Sequence, residues 1–416
     1  MNWSSDSTVD YLWYSTDNGS TWTGVDVADG NSGTYTINGL SANTSYNIKT
    51  RIRRKDSQLT TDSSSLAVTT YDYPYCTSYP NFTIGNELTL GLYNPLSRSV
   101  TVILVGADGT TKGGDTTTGT SIKGYNNTSW EEWFYSTIPN ATSGKYKIQV
   151  KYGSITKTTD GGTYSIDSTK CAPTFSNFTY KDTNTKVTGL TGNDQILVKG
   201  LSNLQVTISS NDKMVANKSA TPKNYLMSID TLSKTVNYSE SEIIADVGTV
   251  ISSGTKRLNV RAYDSRNNST LVYKDIIVYD YSKPVINATI SRLNNFEKET
   301  TLKVSGTYSK LIIDDINKNT ITNVQYRYRE TNGTWSEWTT ISTTISDNKF
   351  TCSDVILSLD NTKSFEFEIQ VLDNLDSNKN TLTVDIGQSI FFISSNQKAC
   401  YINGQEILTY DIVDEW

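Results

Sequence analysis

Apolar and aromatic positions alternate with polar ones in short runs along almost the whole 416-residue chain, the period-two signature of strands with one buried face. Tyr326 and Tyr328 alternate with arginines, Asn332-Gly333 interrupts them, and Trp335 and Trp338 follow. This pattern predicts a β-hairpin with the two tryptophans on the returning arm, because Asn-Gly supplies the positive φ values of a tight turn. The same device recurs near the start, where Leu12, Trp13 and Tyr14 precede Asn18-Gly19 and Trp22 follows. A second echo follows each hairpin. The spacing Leu40 to Tyr46 matches Leu359 to Phe365, and each leads into an alternating strand (Tyr46, Ile48, Thr50, Ile52; Phe365, Phe367, Ile369, Val371).

Between these two modules the alternation continues. Leu88, Leu90 and Leu92, then Val100, Val102 and Leu104, then Tyr146, Ile148 and Val150 each predict a half-buried strand, and a further hairpin is predicted from Val260 to Ser269. One stretch breaks the period. Trp130, Trp133, Phe134 and Ile138 fall at helical spacing with Glu131-Glu132 in the first turn, which predicts a short helix whose aromatic stripe is buried. Trp130 and Trp133 are also candidate surface-binding residues, since aromatic faces stack on pyranose rings, but a stripe at this spacing reads more simply as core. The last residues hold three short apolar strands, too few for an independent core.

Composition narrows the function. The formal charge is −6, which argues against a nucleic-acid partner, and no run approaches the ~18 apolar residues of a membrane span. Histidine is absent, removing the commonest general base and metal ligand. Cys76, Cys171, Cys352 and Cys400 lie far apart without paired spacing and read as buried, unpaired thiols. The opening residues, polar from the start, carry no signal-peptide pattern. Lys49, Arg51 and Arg53 alternate along one strand as a candidate basic stripe for an anionic cell-wall polymer; a solvated strand face is the simpler reading. Asp315, Asn317 and Asn319 imitate the start of a calcium loop, but Ile321 and Tyr326 stand where the glycine and glutamate belong. The acidic pairs Glu131-Glu132 and Asp314-Asp315 are each adjacent in sequence and define no cleft. No catalytic residue, cofactor site or metal site is expected, and the chain is not expected to be an enzyme.

Residues 1–72, with Trp3 at the position of a buried strand B tryptophan and Tyr46 at that of a tyrosine corner, resemble a fibronectin type III domain. On this alignment the first strand is missing. Either the chain is a piece of something longer or a neighbouring chain supplies the edge beside residues 1 to 10. Thr191-Gly-Asn193, Gly200-Leu-Ser-Asn-Leu204, Asp246-Val-Gly248, Asp264-Ser-Arg266, Ser291-Arg292, Val304-Ser-Gly-Thr-Tyr308, Lys318-Asn319 and Val371-Leu-Asp-Asn374 are similar to the successive landmarks of a family of siphophage minor structural and tail-tip proteins of unknown function. Asn267 stands where that family usually has glycine, and it too tolerates the left-handed conformation. The resemblance covers roughly residues 73 to 410.

The expected fold is all-β: tandem immunoglobulin- and fibronectin-like sandwiches in an elongated array, with one short helix in the second domain. The expected segments are 1–72 (fibronectin-like), 73–170 (sandwich with the helix), 171–283, 284–386 and a hairpin tail, 387–416. Pro74 and Pro284, each following a Tyr-Asp-Tyr string, are expected to stiffen the junctions. The resemblance implies a virion protein of the distal tail, assembled in the host cytoplasm and acting as a spacer for host attachment. Its implied partners are other tail proteins, copies of itself and host cell-surface polysaccharide, with no nucleic acid and no membrane insertion. The rival reading is a bacterial surface or secreted adhesin that binds glycans, which would need an export route.

Overall fold

Leu88, Leu90, Leu92, Val100, Val102, Leu104, Tyr146, Ile148 and Val150 all bury their side chains, so period-two alternation supplies the strand contribution to the core of residues 75–165. The computed structural model describes residues 1–387 and, beyond them, the backbone of strands Phe391–Ile393, Ala399–Ile402 and Gln405–Thr409, which pair in that order as an antiparallel sheet. Cys400's side chain and residues 388–390, 394–398, 403–404 and 410–416 lie outside the described residues. Two units divide the chain. One holds Met1–Ala172, Ala216–Thr221 and Asp264–Asn268; the other holds Pro173–Val215, Pro222–Tyr263 and Ser269 onward.

In the first unit, β1 (Asn2–Ser15), β2 (Thr23–Thr34), β3 (Ser45–Arg54) and β4 (Thr60–Asp62) form a sheet in the order β2-β1-β3-β4, and β5 (Leu66–Thr69) pairs with β3. Trp3 does not occupy a separate strand B. It begins β1, the strand that also carries Leu12, and its ring lies over Gly33, where a Cβ would come within 2.7 Å of the indole. Asn2–Ser4 pair with β2 alone, and from Val9 onward β1 runs between β2 and β3. The hairpin turn is the predicted one, with Asn18 and Gly19 at φ 61° and 90°. Asp17 braces it by accepting hydrogen bonds from Thr21 and Ser15, which hold its carboxyl down at about 2. The tyrosine corner is also present. The Tyr46 hydroxyl accepts a hydrogen bond from the Ser41 amide at 2.8 Å.

Residues 75–165 make a five-stranded and a three-stranded sheet around a core that includes Phe134 and Tyr164. The predicted helix, α1 (Thr128–Ser136), opens at Asn127, whose side chain accepts from the Trp130 amide. Its stripe is buried at Trp130, Phe134 and Ile138 but only half-buried at Trp133. Its last turn carries no basic residue. Arg266, in the turn 264–268, supplies the missing cation. The guanidinium is buried and donates to the carbonyls of Tyr135 and Ile138 at 2.9 and 3.0 Å, at the C-terminal end of the helix, where the dipole favours a cation.

In the second unit, sheets of three and five strands enclose a core running from Phe175 to Val278, and two further sheets, of five and four strands, enclose one running from Leu302 to Val384. A second helix, α2 (Thr185–Thr191), adds to the single helix expected; Asn184 caps its start and Gly192, at φ 72°, ends it. A small apolar cluster of Val187, Val198, Tyr281, Leu311, Ile313 and Leu375 joins the two cores' neighbourhoods within this unit. The chain string around Pro284 is therefore fixed by packing of Tyr281 as well as by proline geometry.

Candidate binding surfaces

Two of the three cations of the basic stripe, Arg51 and Arg53, are ion-paired. Arg51 pairs with Asp62 at 2.5 Å and Arg53 with Asp10 at 3.0 Å, while Arg54 and Lys55 pair with Asp6 and Asp29. These partners hold the Asp62 and Asp10 carboxyls below their ordinary range. Arg51 also lies over the Trp22 ring at 4.3 Å and Arg53 over Tyr11 at 5.3 Å. Lys49 sits beside this network, its stem against Gly19 and its charge felt at Asp62.

A similar device explains the hairpin at Asn332-Gly333 and corrects its expected form. The segment carrying Trp335 and Trp338 is not a strand; pairing with strand Ile321–Glu330 resumes only at Thr339–Thr340. The tryptophans instead interleave with cations. Arg329 lies 4.5 Å from the Trp335 ring, Arg327 lies 4.8 and 4.7 Å from Trp335 and Trp338, and Lys379 lies 5.5 Å from Trp338. Glu368 and Glu366 neutralise Arg327 and Arg329, each at 2.6 Å. On the opposite face Tyr326 and Tyr328 stack against Phe367.

The aromatic helix divides the two candidate tryptophans. Trp130 is buried, edge-on to Tyr125 at 4.9 Å, and is unavailable to a ligand. Trp133 is half-exposed and lines a groove of about 610 Å³ together with Glu132 and Ser136 of α1, Lys112, Lys218 and Ser219. Lys112 donates to the Ser129 carbonyl and hydroxyl at 2.6 Å, and Lys218 lies 3.5 Å from Glu131. Lys218 and Ser219 both take positive φ, 52° and 63°, conformations that cost a non-glycine residue on the order of 1–3 kcal/mol. Sequence reasoning named Trp133 but not the loop opposite it, because residues 216–221 reach α1 only through the tertiary fold.

The acidic pairs do not converge. Glu131 faces Lys218, and Asp314-Asp315 forms a left-handed turn with φ 49° and 63°. The calcium-like string is occupied by local hydrogen bonds: the Asn317 side-chain Oδ1 accepts from the Leu311 and Asn319 amides.

The landmark strings are instead the polar skeleton of the fold. Asp264, fully buried, accepts from the amides of Arg266 and Asn268, and Asn267 takes the predicted left-handed φ of 65°. Ser202 donates to the buried Asp182 at 2.6 Å and accepts from Val198. Gly306 lies so close to the Val285 carbonyl and the Phe350 ring that no Cβ fits. Arg292 spends all its donors on main-chain carbonyls, those of Asp385, Glu297, Leu359, Asp360 and Lys363, at 2.9–3.3 Å. It fastens the corner before Phe365, where no tyrosine hydroxyl is present. Lys318-Asn319 and Asp373-Asn374 meet: Asn319 donates to Asp373 at 3.0 Å, and Asn374 donates to Asn319 and to the Lys318 carbonyl, both at 3.0 Å.

Paired sheets of alternating strands, closed by buried polar corners, define a protein of tandem immunoglobulin-like β-sandwiches. The chain matches the family described as "Siphovirus protein of unknown function (DUF859)" over residues 57–398, and it belongs to that family. The match reaches into the first module, beyond the expected start near residue 73. No curated protein matches the chain. Among solved structures it is similar to Dpr2 Ig1-Ig2 in complex with DIP-Theta Ig1-Ig3, with 10% identity, 75% of this chain and 98% of that chain covered, and a TM-score of 0.25. Sidekick-1 immunoglobulin domains 1-5 give 9% identity, 89% and 72% coverage and a TM-score of 0.26. The three N-terminal domains of the bacteriophage RB49 Highly Immunogenic Outer Capsid protein (Hoc) give 12%, 73% and 93%, and 0.23.

Proposed function

We propose that the chain is a structural component of the siphophage virion at the distal tail, where it acts as a spacer that positions host-attachment machinery and performs no catalysis. One observation carries this reading. The residues that mark the family are spent on corners, turns and caps, so what they maintain is the geometry of the modules. The packed cluster around Tyr281 supports it, because a joint filled by side chains keeps the elements on either side of it at a set separation within the second unit. Other tail proteins and further copies of the chain are its proposed partners.

Mass spectrometry of purified virions, with peptides quantified against the major tail protein, tests the reading. A minor virion component is present at a small, fixed ratio. Absence from particles that retain their tails would refute the assignment.

A further inference from the structure

We propose that the groove formed by α1 and the loop 216–221 is a binding site for a neutral, hexose-containing oligosaccharide, with Trp133 as its stacking platform. The proposal rests on the reading of the chain as part of the attachment apparatus and names the chemistry its surface would recognise.

Trp133 is the member of the aromatic stripe that the core does not absorb. Its ring is braced by Trp130 at 5.5 Å and 85° and by Phe134 at 4.8 Å and 57°, so a half-exposed indole is held in one orientation at the groove wall. A rigid aromatic face suits the C–H face of a pyranose, and it loses little conformational freedom on binding. The surrounding groups suit sugar hydroxyls. Glu132 can accept, Ser136 and Ser219 can donate or accept, and Lys112 and Lys218 can donate.

Both ammonium groups are already anchored, Lys112 at Ser129 and Lys218 at Glu131, so their remaining donors are directed rather than free to swing. Lys218 is paired with Glu131, and Lys112 and Glu132 both line the groove, so two lysines are matched by two carboxylates, which favours a neutral glycan over a polyanion. The volume, about 610 Å³, lies within the range of roughly 300–1,000 Å³ that accommodates small-molecule ligands. The consecutive left-handed residues Lys218 and Ser219 add a second, independent observation: strain kept by non-glycine residues at the rim of the same groove.

The test uses the full chain on an array of neutral and acidic oligosaccharides, with Trp133→Ala and Ser136→Trp as variants. Ser136 is an exposed helix position, so the added indole fills the groove without entering the core, and it covers the case in which Trp133→Ala fails to fold. The expected result is binding to neutral hexose-containing glycans, weakened tenfold or more by either variant and unchanged by Arg51→Ala. Binding to acidic glycans alone, no binding to any neutral glycan at millimolar concentration, or undiminished binding by Ser136→Trp would overturn the site. A chain that binds through the groove yet is missing from purified virions keeps the site and removes the attachment reading; a virion-borne chain that binds no neutral glycan does the reverse.

Discussion

The hydroxyl of Tyr281 donates to the carboxylate of Asp373, 92 residues further along the chain, at 3.2–3.3 Å. Asp373 also accepts from Asn319 and from the amides of Leu375 and Asp376, so one buried carboxylate ties together Tyr281, the segment leading into strand Ile321–Glu330 and the turn between strands Phe365–Asp373 and Ser377–Val384. Tyr281→Phe removes one donor from this charged acceptor and is expected to destabilise the second unit by about 1.5–3 kcal/mol. Urea unfolding of the full chain checks this, with the loss confined to the transition that reports Tyr281's unit.

Burial raises the hydroxyls of Tyr135 and Tyr146 to about 12 and pushes those of Tyr281 and Tyr125 higher still, the charge of Asp373 adding to the effect at Tyr281. A group whose folded value lies above its unfolded value stabilises the fold fully below the unfolded value, about 10 for tyrosine, and that stability is lost as pH rises beyond it. The fold is therefore expected to hold to about pH 10 and to weaken steeply above. Ultraviolet titration of phenolate should show exposed tyrosines ionising first and these four ionising only with unfolding.

Arg292 holds five carbonyls that no other side chain reaches in the same way. Arg292→Met leaves buried acceptors unpaired and is expected to cost about 3 kcal/mol or more. Arg292→Lys should recover little, because three donors on a flexible stem cannot reproduce a planar fork. Denaturant midpoints of the three proteins measure both statements.

The contrast between Tyr46 and Arg292 shows how much of the fold the sequence carried. A tyrosine at the corner spacing is visible in one dimension, and Tyr46 makes the expected bond. With Phe365 at the matching position, the work passes to an arginine that lies far away in sequence, and only the folded sheet brings it to the corner. Alternation located the strands for the same local reason, whereas Trp335 and Trp338 lie on a segment that joins the ladder only at Thr339–Thr340 and lean on Arg327, Arg329 and Lys379, contacts that no local pattern displays. Helix α2 was missed because Thr185, Val187, Thr188 and Thr191 are β-branched; the signal was the Asn184 cap and the Gly192 stop. The groove shows the same limit, since Trp133 was legible and Lys218 was not.

Cys76, Cys171 and Cys352 are buried, and desolvation raises each thiol above its ordinary value. These thiols are expected to resist a water-soluble alkylating reagent at pH 8 in the native protein and to react fully in denaturant. Peptide mapping after pulse alkylation reads each site separately.

The position of the chain in the particle bears on the whole account. Negative-stain imaging of virions labelled with a gold-conjugated antibody against the chain should place gold at the tip of the tail, distal to the tube. Gold along the tail tube, on the capsid, or on no particle with an intact tail would contradict it.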